Sequence, residues 1–192
     1  MGFDSIFDKG NDWHTNACLN FQSDMSHGYV YGYKKSADIL VKKVKKTASE
    51  QDYLVYPIIF LYRHHIELLL KNVIQLGIQF YEETNDVPQH HRIKDLWNSV
   101  KGYHRKFTKS KNSKEIQFID KIMDELCEID ADSMNFRYSK NREGIAPNQE
   151  LLNINLEVFS DVICRISDEL ETFEFSIRAE LELKWDRLQT SS

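Results

Sequence analysis

Ionisable residues stand within two helical turns inside the most apolar stretch of this chain. Glu67 lies four residues after Arg63 and four residues before Lys71, and such neighbours meet on one face of a helix. His64 falls on the same face. Burying an unpaired carboxylate is costly, so Glu67 needs a partner. Two interpretations follow: a set of structural ion pairs that orients helices, or a polar pocket in which the pKa of a glutamate or histidine is shifted for catalysis.

Two later segments carry side chains that suit such a pocket. His90 and His91 stand where a loop meets a helix, and neutral histidine acts as a general base near pH 7. The alternative is that His91 only caps the helix. Arg137, in the loop 130–149, suits bidentate binding of phosphate. Its alternative role is a salt bridge to Glu67 that holds the loop in place.

A basic segment follows, at residues 101–114, with six lysines and arginines and no acid. Tyr103 and Phe107 interleave with these charges, a pattern that suits phosphate contacts and base stacking. The alternative is a solvated surface that offsets the acidic C-terminal part of the chain. The net charge of −5 does not indicate a dedicated nucleic-acid binder.

We therefore expect two groups of functional residues. The candidate catalytic residues are Glu67, His91 and Arg137. The candidate substrate- or phosphate-binding residues are Arg63, His64, Lys71, Tyr138, Lys101, Arg105 and Lys106. Phosphate-loop, dinucleotide-binding and serine-hydrolase motifs are absent, and no histidine or cysteine pair has metal-ligand spacing within one element. We expect no metal and no cofactor.

Helices must position these residues. The 192 residues include only seven glycines and three prolines, too few for the frequent turns of a β-sandwich or barrel. Apolar residues recur every three or four positions, which predicts five helices, over 26–46, 50–81, 89–106, 113–129 and 150–188. Ser26, Ser49 and Ser113 are predicted to cap three of them. Pro57 is expected to kink the second helix or to mark its start.

The predicted organisation is an irregular arm, 1–25, pinned by its aromatic residues, followed by one all-α helical-bundle domain, 26–192. An unbroken last helix would be about 58 Å long at about 1.5 Å per residue. Such a helix either breaks near 173–176 or projects and packs on a partner chain, and we expect a homodimer. Three widely spaced cysteines, no secretion signal and no long apolar run favour a cytoplasmic protein without a membrane span.

Several segments of the chain carry motifs that occur together. The first lies on the predicted second helix, as Pro57, Phe60 to His64, Glu67, Leu68, Leu70 and Lys71. The others are His91 with Leu96-Trp97, Asp132-Ser133 and Phe136-Arg137-Tyr138. This set of motifs resembles the HEPN superfamily (higher eukaryotes and prokaryotes nucleotide-binding) of small helical proteins. The resemblance covers roughly residues 30–180 and implies a bundle of four or five helices, often dimeric. Many members are RNA-cleaving toxins or defence effectors, and others are nucleotide-binding companions or inert partners.

The chain departs from the superfamily at its catalytic motif. RNA-cleaving members carry an arginine followed four to six residues later by a histidine, and no arginine here has that spacing. Two hypotheses remain. The first is an RNA- or nucleotide-directed effector of bacterial stress or phage defence, with a metal-independent endoribonuclease-like activity based on Glu67, His91 and Arg137. The second is a non-catalytic binding, regulatory or assembly module, such as an antitoxin-like partner of another protein, in which the polar residues are structural.

Overall fold

The computed structural model describes residues 6–7, 9–109, 113–131, 133–140, 143–147, 151 and 153–190, and all regular structure in these residues is helical. The expected all-α class is confirmed. A 3-10 turn, Trp13–Thr15, precedes five helices: α1 (Ser26–Thr47), α2 (Gln51–Tyr81), α3 (Ile93–Thr108), α4 (Lys114–Asp130) and α5 (Leu156–Thr190).

Helix α2 lies at the centre and packs against α1, α3 and α5, while α4 packs on α3. Its central position follows from its sequence, because α2 carries apolar residues on every side and a helix of this kind is stable only when it is surrounded. Ile58, Ile66 and Leu70 of α2 are fully buried. The buried polar side chains of α2, which are Arg63, His65 and Glu67, therefore lie against other helices or connecting loops.

Two of the three predicted helix caps are wrong. Ser26 is the first residue of α1, and the capping position belongs to Met25. Glu50, in a left-handed conformation with φ of 65°, stands at the cap of α2, and Ser49 instead bonds to Thr47. Local hydrogen bonding and backbone conformation thus override the sequence signal. Ser113 caps α4 as predicted, since its hydroxyl accepts a hydrogen bond from the Ile116 amide.

Two expectations about helix breaks have different outcomes. Pro57 lies inside α2 and does not mark its start. Helix α5 is continuous over 35 residues and does not break near 173–176. Its last buried residue is Leu181, and the following Trp185 and Leu188 are more than half exposed. The homodimer remains a prediction.

Within the described residues, no helix combines the length and apolar character that crossing a membrane requires.

Two aromatic side chains of the N-terminal arm, Trp13 and Phe21, do not anchor it to the core. Trp13 is 73% exposed and Phe21 is 67% exposed, and neither joins the core. Trp13 instead lies against the neighbouring His14 ring, with centroids 3.9 Å apart. The expectation of aromatic anchors was therefore wrong for these two residues. Residues 1–5 and 8 of the arm lie outside the described residues.

A buried histidine links α1, α2 and α5. His65 is fully buried, with Nδ1 3.0 Å from the Val30 carbonyl oxygen and Nε2 2.7 Å from Ser167 Oγ. A carbonyl oxygen only accepts, so Nδ1 carries the proton and Nε2 accepts from the serine hydroxyl. Burial lowers the pKa of His65 to about 4. The fold therefore holds this imidazole in its neutral form.

This link should make stability depend on pH in mild acid. In the unfolded chain His65 takes up a proton below about pH 6.5, whereas in the folded chain it does so only near pH 4. Stability from this residue is therefore present at neutral pH and is lost as the pH falls from about 6.5 to 4, by roughly 2 kcal/mol between pH 7 and 5. Urea unfolding at these two pH values should show a smaller pH effect in His65→Asn than in the wild-type protein. An equal pH effect in both would contradict this assignment.

Candidate functional site

Glu67 forms the centre of the site. Its side chain is 1% exposed, in the middle of α2. Oε1 accepts hydrogen bonds from Lys71 Nζ at 3.0 Å and from His91 Nδ1 at 2.7 Å. Oε2 lies 3.5 Å from an Arg63 terminal nitrogen. The predicted pairing of Glu67 with both of its helical neighbours is confirmed, and so is its proximity to a histidine from a later segment.

The bond to Glu67 fixes the tautomer of His91. A carboxylate oxygen only accepts, so a neutral His91 carries its proton on Nδ1 and keeps a lone pair on Nε2. The His91 side chain is 59% exposed, and its Nε2 has no hydrogen-bond partner in the part of the chain that the structure describes. The arrangement is a buried carboxylate that orients a solvent-accessible imidazole. A pair of this kind can accept a proton and stabilise the resulting imidazolium.

Arg63 joins the two loops that flank this pair. Its side chain is fully buried. One terminal nitrogen donates to the His91 carbonyl at 3.0 Å and to the Ala131 carbonyl at 3.3 Å, and Nε donates to the Asp130 carbonyl at 3.2 Å. Nε also lies 3.4 Å from Asp130 Oδ2. Arg63 therefore positions the backbone of His91 and does not face the solvent as a phosphate ligand would.

Asp130 is a member of this cluster that the sequence reasoning did not select. It is 4% exposed at the end of α4. Its Oδ1 accepts from the Met134 amide at 2.7 Å and from the Asn135 amide at 3.0 Å, while Oδ2 faces Arg63. An aspartate at a helix end, followed by a polar loop, is a common signal for such amide capping. We call Arg63, Glu67, Lys71, His91 and Asp130 the α2 polar cluster.

The charges of the cluster keep Glu67 ionised. Burial by itself would raise the pKa of Glu67, and the hydrogen bonds from His91 and Lys71 act in the opposite direction. The hydrogen bonds prevail, so the pKa of Glu67 lies below its usual value. The ionised carboxylate of Glu67 therefore holds a neutral His91 as its Nδ1–H tautomer. When His91 is protonated, the same carboxylate attracts the imidazolium.

Arg137 does not form the salt bridge to Glu67 that was one of its two predicted roles. Its guanidinium lies 5.4 Å from the centre of the Phe60 ring, and Phe60 in turn stacks on His64 at 5.8 Å. His64 Nδ1 is 4.0 Å from Glu67, and burial lowers the pKa of this histidine. The two rings thus stand between Arg137 and the carboxylate. The arginine that joins Glu67 to the loop is Arg63, from α2 itself.

His91 opens on a groove of about 1000 Å³. Arg92 and Lys140 bring positive charge to its walls, Glu143 brings a negative charge, and Tyr138 brings a half-exposed ring. Arg92 pairs with Asp95 on the surface, at 2.9 Å with both side chains largely exposed, and such a pair is weak enough to exchange for a ligand. The groove therefore places two cationic side chains and one carboxylate beside the free face of the Glu67–His91 pair.

The basic segment 101–114 is engaged elsewhere. Lys101 Nζ lies 2.5 Å from Asp120 of α4, and Lys106 Nζ lies 2.7 Å from Glu83. Arg105 is exposed and has no ion pair with any described residue. None of the three contacts Glu67 or His91, so their role in guiding a strand remains a prediction. Residues 110–112 of this segment, and Asp132 of the resemblance, lie outside the described residues.

In the described ranges, no group of three or more histidine, cysteine, aspartate or glutamate side chains could hold a metal ion. The Glu67–His91 pair supplies two such side chains, and Lys71 and Arg63 occupy the remaining directions around the carboxylate. The chemistry that these residues support is proton transfer beside the groove that Arg92 and Lys140 line.

Comparisons with known proteins do not place this chain in a family. No protein-family model matches it. No curated protein and no solved structure matches it either.

Proposed function

We propose that this protein cleaves RNA without a metal ion, with His91 as the general base. The single observation that carries the proposal is the 2.7 Å hydrogen bond from His91 Nδ1 to the buried Glu67, on an imidazole that opens on a groove lined by Arg92 and Lys140. RNA contains its own nucleophile, the 2′-hydroxyl, so a base and a site for the phosphate suffice for the reaction. The protein needs to supply only these two elements.

The reaction starts when His91 Nε2 takes the proton of a 2′-hydroxyl. The 2′ oxygen forms a bond to the adjacent phosphorus, and the bond from that phosphorus to the 5′ oxygen breaks. The leaving 5′ oxygen takes a proton from water, which gives a 2′,3′-cyclic phosphate and a 5′-hydroxyl end. Glu67 stabilises the imidazolium of His91, which then returns its proton to solvent.

Positive charge on the groove would bind the phosphate. Arg92 and Lys140 line the groove together with His91. A guanidinium and an ammonium placed beside a phosphate stabilise the additional negative charge of its pentavalent transition state. Arg137 has no ion pair with a described residue and lies near Tyr138, so it can contact a neighbouring phosphate of the strand.

The HEPN resemblance also supports an effector of bacterial stress or phage defence, although the catalytic pair proposed here differs from the arginine–histidine motif of that superfamily.

A second candidate function has its own supporting observation. Arg63 and Asp130 are satisfied by contacts within the protein, as in a structural network. This favours a regulatory or assembly module that binds a protein partner and has no catalytic activity.

An assay with two matched substrates distinguishes the candidates. The protein is incubated in EDTA with a mixed-sequence RNA oligonucleotide and with the same sequence made of 2′-deoxynucleotides. We expect cleavage of the RNA alone, with products that mass spectrometry identifies as 2′,3′-cyclic phosphates. Cleavage of the deoxy substrate, or no cleavage of RNA between pH 5 and 9, would overturn the proposal.

A further inference from the structure

A second cavity, of about 770 Å³, adjoins the catalytic groove. It lies between the first turns of α2 and the loop 135–139. Asn135, Tyr138 and Pro147 line both this cavity and the groove that holds His91. These three shared residues form a ridge between the two spaces, so the spaces are neighbours.

Two exposed aromatic rings belong to the walls of the second cavity. Tyr56, on α2, is 54% exposed, and Tyr138, on the ridge, is 50% exposed. Neither hydroxyl has a hydrogen-bond partner among the described residues. Half-exposed tyrosines in a concave site offer large flat surfaces at low entropic cost, and flat aromatic ligands stack on them.

The remaining polar groups of the cavity suit the edge of a planar ring. Gln51 and Asn153 contribute side-chain amides, which both donate and accept hydrogen bonds, and Asp52 contributes an acceptor. The guanidinium of Arg137 lies 5.5 Å from the Tyr138 ring. Flat faces combined with donors and acceptors along the edge are the features of a nucleobase, and proteins read unstacked bases in this way.

We propose that the second cavity binds a nucleobase, which stacks on Tyr56 and Tyr138 while the phosphate of the same nucleotide crosses the ridge into the groove beside His91. This inference rests on the proposed function for its choice of a nucleotide. It assigns Tyr56 and Tyr138 as the residues that position the substrate. It also predicts that affinity depends on the base as well as on the phosphate.

Calorimetric titration with AMP and with ribose 5-phosphate tests the inference. We expect AMP to bind at least about tenfold more tightly than ribose 5-phosphate, because only AMP carries a base. Tyr56→Ala should weaken AMP binding by about 5- to 150-fold, the range of base–aromatic stacking, and should leave ribose 5-phosphate binding unchanged. Tyr56→Phe keeps the ring and should retain the affinity.

Tyr53→Ala is the matched control. Tyr53 lies on the same helix, is 79% exposed and lines neither cavity, so its removal should not change AMP binding. Equal binding of the two ligands, or equal effects of Tyr53→Ala and Tyr56→Ala, would overturn the inference. Cleavage of RNA without base-dependent AMP binding would refute this inference alone, whereas AMP binding without RNA cleavage would refute only the proposed function.

Discussion

Replacing Glu67 with glutamine should lower the free energy of unfolding by about 3 kcal/mol. The carboxylate is 1% exposed and faces the positive charges of Arg63 and Lys71, together with the N–H group of His91. Glutamine has nearly the same shape but no charge. It therefore leaves a fully buried guanidinium with only part of its compensation, and breaking a buried ion pair in this way costs about 3–5 kcal/mol. Urea denaturation at pH 7 measures the loss.

Glu125→Gln provides the matched control. Glu125 forms an exposed pair with Lys121 on α4, and its loss should cost about 0.5 kcal/mol or less. The pKa of Glu67 is lowered in the folded protein, so its stabilisation is present above about pH 4.5 and is lost as the pH falls through the folded pKa. Glu67→Gln should lack this acid-dependent loss. A decrease below about 1 kcal/mol at pH 7 would show that the cluster does not depend on the carboxylate.

Replacing His91 with glutamine should reduce the rate of RNA cleavage by about 100-fold or more, since a general base contributes about 10²–10⁴-fold. Glutamine can still donate a hydrogen bond to Glu67, and the His91 side chain is 59% exposed, so the unfolding free energy should change by about 1 kcal/mol or less. Initial rates on the RNA oligonucleotide at saturating substrate measure the effect on the chemical step.

His14→Gln tests whether the fall in cleavage rate is specific to the histidine that lines the groove. His14 is an exposed histidine on the N-terminal turn and lines neither cavity. Its replacement should leave the cleavage rate unchanged. A His91→Gln protein that folds normally and cleaves RNA at the wild-type rate would mean that another residue supplies the base.

Sequence periodicity predicted the helices well because their inner faces are continuous. Ile59, Tyr62 and Ile66 keep the spacing of three or four along α2 and are all buried there. The ends were predicted less well, since a serine is a common cap but neither Ser26 nor Ser49 performs this role. The start of α3 at Ile93, four residues later than expected, follows the loop that delivers His91 to Glu67.

The part of the site that could be predicted is the part in which a buried charge requires a hydrogen-bonding partner. A glutamate inside an apolar helix needs hydrogen bonds, and that need pointed to Arg63, Lys71 and a later histidine. The direction of a loop side chain has no comparable constraint. For this reason the salt bridge to Glu67, one of the two roles predicted for Arg137, is formed by Arg63 instead, and the capping role of Asp130 was missed.

The central claim is that the buried carboxylate of Glu67 holds His91 as its Nδ1–H tautomer, with Nε2 free to accept a proton. Long-range ¹H–¹⁵N correlation NMR of the histidine side chains, recorded at about pH 8, measures this directly. We predict a protonated Nδ1 and an unprotonated Nε2 for His91, with the preference reduced in Glu67→Gln. A His91 that carries its proton on Nε2, or that shows the same tautomer mixture in both proteins, would contradict the account.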